Sequence, residues 1–208
     1  MKKIIKEWRE FLVESSLSRV YQHTQEHDTA ILTGFRGDPT DTSKCAEEEI
    51  GETKKGKKKQ ANLLRNRNLK AALLAAGYGV TKVDGSYIED FDTPEAMEVS
   101  EDSFFVVNLK DSPDFFSGVE SLGRKFCQDS VLMIPQGGKG AYLLGTNNSE
   151  FPGLGEKISV GDLKMGEEAE FMTRVGGRPF TATEGLQTYK DLSRNERLAV
   201  KKIVEENN

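Results

Sequence analysis

The stretch Ser103-Phe104-Phe105-Val106-Val107-Asn108-Leu109 decides the fold. Its apolar run is short, β-branched and aromatic, the composition of a strand buried on both faces rather than of a helix, so it stands at the centre of the core. Downstream, Asp111-Ser112-Pro113 opens a helix that runs to about Gln128, with Phe116, Val119, Leu122, Phe126 and Cys127 at near-helical spacing. Val131–Ile134 then reads as a strand, residues 136–140 as a glycine-rich turn, and Ala141–Leu144 as the hairpin mate.

Upstream, Thr29–Phe35 reads as the first strand and ends in the turn-prone Arg36-Gly37-Asp38-Pro39. A helix is expected from about Gln60 to Ala76, with Leu64, Leu69, Leu73 and Ala76 inward and Gly77 as its C-terminal stop. Residues 78–83 form a strand, Asp84-Gly85 a turn and residues 86–88 a hairpin partner. Before all of these, Ile4, Ile5, Trp8, Phe11 and Leu12 make one amphipathic helix, and a second follows Ser15-Ser16 and ends near His27-Asp28.

This order, β–α–β–β–β–α–β–β behind a helical N-terminus, predicts an α/β protein of the α+β kind. The expected architecture is a two-layer sandwich, a mixed sheet with two covering helices. The expected division is a helical segment over 1–28, the core domain over 29–145, and a glycine-rich arm with a C-terminal helix over 146–208. Thr181-x-x-Glu184 and Ser193-x-x-Glu196 match capping boxes, and the second leads into the terminal helix.

Composition sets limits on function. The 208 residues are 36% hydrophobic and 30% charged with net charge −5, which describes a soluble domain without the general positive field that draws proteins to nucleic acid. No apolar stretch approaches the roughly 20 residues that span a bilayer, and the charges after Met1 break a signal-peptide core, so cytosolic synthesis and no membrane partner are expected. Lys54–Lys59 follow an acidic run at 47–49 and lack interleaved aromatics, so a solvated face outranks phosphate binding there. Cys45 and Cys127 make no CxxC motif and no disulfide framework, and free thiols are expected. His23 and His27 have the i, i+4 spacing of some zinc sites, with Glu26 or Asp28 needed for a further ligand; an ordinary exposed helix end is the preferred reading, with no metal and no cofactor.

The residues able to carry chemistry sit at element junctions. Gly137-Gly138-Lys139-Gly140, Gly153-Leu154-Gly155 and Gly176-Gly177-Arg178 lack phosphate-loop or dinucleotide context. Asn62, Arg65 and Asn66, at i, i+3 and i+4, point one way from a helix and offer amide and guanidinium donors suited to a phosphate or carboxylate. Arg36 ends a strand, where α/β sheets commonly border a crevice. Glu101 and Ser103 enter the central strand and Gln128 precedes another. Taken singly, each is as well explained by a polar helix face or an element cap. Together, Arg36, Asn62, Arg65, Asn66, Glu101, Ser103 and Gln128 are the ligand-binding candidates. No Ser-His-Asp or Cys-His set is credible.

The pattern Thr33-x-x-Arg36, Asn62-x-x-Arg65-Asn66-x-x-Leu69, Glu101-x-Ser103-Phe104 and Phe126-x-Gln128-x-Ser130 resembles an uncharacterised bacterial and phage family, a domain of unknown function, over roughly residues 29 to 145. The chain as a whole, Phe171–Phe180 included, resembles hypothetical proteins of tailed bacteriophages. The resemblance implies a phage-encoded protein with no established enzymatic activity. The leading expectation is therefore a non-enzymatic accessory protein, virion-associated or bound to a protein partner such as a phage structural protein. The alternative is a nucleotide or other anionic small-molecule binding or processing protein in the host cytoplasm, acting against a defence signal. Nucleic-acid binding comes third.

Overall fold

The computed structural model describes residues 19–39, 41–45, 58–89, 97–162, 164–165, 171–173, 178–182 and 186–207, the side chains of 84–89, 97–101 and the strand residues between 164 and 182 excepted. The expected helix around Trp8, the charge reversal between Glu47 and Lys57, the capping box at Thr181, the complete 171–180 motif and the side chain of Glu101 lie outside the described residues.

Helix α1 is described over 19–26, followed by β1 (Thr29–Thr33), α2 (Lys58–Ala75), β2 (Gly79–Glu89), β3 (Met97–Val107) and α3 (Phe115–Lys125). Then come β4 (Ser130–Ile134), β5 (Ala141–Gly145), β6 (Lys157–Gly161), β7 (Lys164–Met165), β8 (Phe171–Thr173), β9 (Arg178–Ala182) and α4 (Arg194–Glu206). The strands lie in the order β6-β5-β4-β1-β3-β2-β9-β8-β7. Helices and sheet segregate as in an α+β fold. Every described ladder is antiparallel, so the sheet is not mixed.

Strand β3 carries the core, as its composition demands. Phe104 and Val106 face the layer formed by Leu69 and Leu73 of α2 and Phe115 and Val119 of α3. Phe105 and Val107 face the other way, with Ile31, Leu132, Ile134 and Val20 of α1. All four β3 side chains are buried, and burying such side chains stabilises by about 1.5–3 kcal/mol each relative to exposure. Helix α4 packs beside α2.

Two further features depart from the sequence reading. Asp84-Gly85 is no turn: β2 continues through it, with Asp84 opposite Asp102 and Gly85 opposite Glu101. The ladder with β3 runs from Gly79↔Val107 to Glu89↔Met97, and this continuous pairing overrides the local turn preference. The cysteines are not free, because Cys45 and Cys127 form a disulfide across a sequence separation of 82. The bond ties the loop after β1 to the end of α3.

Candidate functional site

β1 runs into its end at Thr33, opposite Ser103 of β3, and Ile31 lies opposite Leu132 of β4. The end of β1, the middle of β3 and the start of β4 therefore meet at one end of the sheet. The first half of α2 passes over that end. Gly34 permits the approach: a Cβ there would lie 2.8 Å from the backbone nitrogen of Asn66 and 2.9 Å from the carbonyl carbon of Arg65.

Three α2 side chains then take hold of the backbone after β1. Asn62 Oδ1 accepts from Arg36 N at 3.1 Å while its Nδ2 donates to Arg36 O at 2.9 Å. Asn66 Oδ1 accepts from Gly34 N at 2.6 Å, and its Nδ2 donates to Asp102 O at 2.8 Å. Arg65 donates from Nε to Gly34 O at 2.8 Å and from Nη2 to Phe126 O. Gln128 closes the ring by donating to Phe35 O at 3.3 Å and Phe126 O at 3.2 Å. Thr33 adds a hydroxyl bond to Asp102 O at 2.9 Å. These side chains thus bond the backbone of three segments to α2, which rigidifies the junction.

The structure brings Arg36, Asn62, Arg65, Asn66, Ser103 and Gln128 together, with the backbone of Glu101 in the adjoining ladder. It also divides their roles. Asn62, Arg65, Asn66 and Gln128 are buried, and the hydrogen bonds above join them to backbone, which braces the segment that carries Arg36. Burial, then the charge of Arg36, pulls the Arg65 guanidinium down to about 10, and it stays protonated at neutral pH.

Arg36 itself is half-exposed. Burial lowers its pKa, opposed by the carboxylates of Asp129, Asp41 and Asp38 in that order of influence. Its Nη1 lies 3.7 Å from Cys45 Sγ. Asp41 accepts from Ser43 N at 2.9 Å, and the Ser43 contacts hold its carboxyl below the ordinary range. Asp129 accepts from Asn147 Nδ2 at 2.7 Å. One guanidinium and three carboxylates therefore meet at this end of the sheet, with Lys58 Nζ 3.5 Å from Asp38 Oδ2, and the disulfide braces them.

The sequence reading missed Asp38, Asp41, Asn147 and the cysteine pair as parts of this end. The run Thr146-Asn147-Asn148-Ser149 directly after a strand was the available signal. Thr146 donates to Gln128 O at 2.5 Å, and Asn148 N donates to Lys44 O at 2.8 Å.

No helix among the described residues is long and apolar enough to cross a membrane. No curated protein and no solved structure gives a significant match. The profile of the S-Adenosylmethionine lyase family matches residues 53–190, about two thirds of the chain, from just before α2 to just before α4. That match overturns the resemblance to a family of unknown function, and with it the expectation of a non-enzymatic, virion-associated or protein-binding accessory protein. It points to an enzyme with a small-molecule substrate, in line with the alternative reading. The chain belongs to the S-adenosylmethionine lyase family.

Proposed function

We propose that the protein cleaves a carbon–sulfur bond of S-adenosylmethionine, with the substrate's methionyl head at the polar end of the sheet around Arg36. The family match carries the activity; the charge pattern supports the place. S-Adenosylmethionine is not a simple anion: its methionyl end carries a sulfonium, an ammonium and a carboxylate. Arg36 pairs with the carboxylate, and Asp38, Asp41 and Asp129 face the two cationic centres.

In such a cleavage the departing sulfur keeps the bonding pair and leaves as a neutral thioether. The carbon it releases must either give a neighbouring proton to a base as a double bond forms, a role open to the carboxylates of Asp38, Asp41 and Asp129, or be captured by the substrate's own carboxylate. Neither route needs water or a redox partner, and neither is open to the methyl group. The protein's part is orientation and electrostatics. Asn62, Arg65, Asn66 and Gln128 act as positioning residues, because they fix the backbone that carries Arg36. Ser103 and Glu101 belong to the strand beside that backbone. The reading fits action in the cytoplasm, where S-adenosylmethionine is made.

Proton NMR of S-adenosylmethionine incubated with the purified protein tests the activity. The expected outcome is conversion of the sulfonium S-methyl signal to a thioether S-methyl signal. Persistence of the sulfonium signal at high enzyme concentration, or transfer of the methyl group off sulfur, would overturn the assignment.

A further inference from the structure

At the opposite end of β1 the last turn of α1 gathers both histidines of the chain. His23, Glu26 and His27 each offer a ligand atom, and these atoms lie within 4.8 Å of one another. The two imidazole centroids are 6.2 Å apart. His27 Nδ1 meets Asp111 Oδ1 at 2.8 Å, a contact that orients the ring and leaves Nε2 as its ligating nitrogen. His23 Nδ1 is buried and has no hydrogen-bond partner among the described residues. Glu26 is exposed, and its carboxylate is held by Gln22 Nε2 at 2.8 Å.

The turn is also pinned from outside. Gln136 Nε2 donates to Glu26 O at 2.9 Å, Gln136 N donates to Asp28 Oδ1 at 2.8 Å, and Gly137 N donates to Thr24 O at 2.9 Å. The ligands thus stand on a helix end fixed by the β4–β5 turn and by the segment after β3, the support that a metal site needs. The carbonyl end of a helix adds a field favourable to cations.

We propose that His23, Glu26 and His27 bind one zinc ion, with Asp111 as the outer carboxylate on His27. Two imidazoles and one carboxylate suit a borderline cation rather than calcium or magnesium, which favour all-oxygen shells. Three protein ligands leave a fourth position for water. All three ligands stand on α1 and its end, and Asp111 links His27 to the segment after β3; the ion therefore braces the end of α1, at the end of β1 remote from Arg36, independently of the proposed reaction.

The test uses the full chain, treated with chelator and kept oxidised so that the cysteines do not compete. Calorimetric titration with zinc is expected to give one ion per chain and a raised Tm. Proton NMR is expected to show both histidine ring signals shifting together. Asp111→Asn should weaken binding by about 10- to 100-fold with stoichiometry kept, and His23→Asn and His27→Asn should each weaken it by more than that, all with unchanged far-ultraviolet circular dichroism. Absence of saturable binding by the unmodified chain would overturn the site, as would histidine signals unmoved by zinc or wild-type affinity in both histidine variants.

Discussion

Arg65 illustrates how one side chain serves the candidate site without facing it. Its guanidinium joins Gly34 O on one segment to Phe126 O on another, so Arg65→Met removes a donor from each carbonyl and leaves Phe126 O with Gln128. We expect it to lower unfolding free energy by about 1–3 kcal/mol, measured by chemical denaturation. Arg65→Lys should recover little, because an ammonium cannot reproduce the fork. Gly34→Ala forces a Cβ against the α2 backbone at Asn66 and is expected to cost about 1–3 kcal/mol in the same assay. The sequence showed that Asn62, Arg65 and Asn66 share one helix face and that Arg36 ends a strand. It did not show that the α2 donors are consumed by backbone, since that depends on how closely α2 crosses β1. Asp38 was read as a turn residue and Asp41 was not singled out, because their significance comes only from the nearness of Arg36 in space.

Among the elements, α3 and the loop after β1 are joined covalently. Reducing Cys45–Cys127 frees a link spanning 82 residues, and loop entropy sets its stabilisation at about 4.5 kcal/mol. Thermal unfolding with and without reductant is expected to show a lower Tm for the reduced chain; equal values would contradict that contribution. The pairing was not legible in the sequence, where one cysteine sits in a polar segment and the other near a helix end. Helix α4, by contrast, was announced by its cap: Ser193 accepts from Glu196 N at 3.3 Å, and Glu196 Oε2 accepts from Ser193 N at 2.7 Å. Those bonds lower the Glu196 pKa. The cap is therefore complete above the ordinary glutamate range and weakens as pH falls through the lowered value. Ser193→Ala should cost about 1 kcal/mol at neutral pH and less in acid, followed by denaturation at both pH values. The turn at Asp84-Gly85 failed for the opposite reason, because its local preference was outweighed by the β2–β3 ladder.

For the whole molecule, the family match begins at residue 53, yet β1 lies between β3 and β4 and pairs with both. A fragment limited to 53–190 would expose those two strand edges and lose the α4 contact on α2. It is expected to show no cooperative unfolding transition by circular dichroism. The apolar pattern made the central strand and covering helices readable, since burial has a period; the convergence of polar junctions at one sheet end appeared only with register. The central claim is that this end holds the substrate of an S-adenosylmethionine lyase. Its most direct measurement is kcat/KM for S-adenosylmethionine in the unmodified protein and in Arg36→Ala, with unfolding free energies measured on the same samples. We expect measurable turnover in the first, a loss of about 10- to 100-fold in the second, and stabilities within about 1 kcal/mol of one another. An Arg36→Ala enzyme as active as the unmodified protein would contradict the claim.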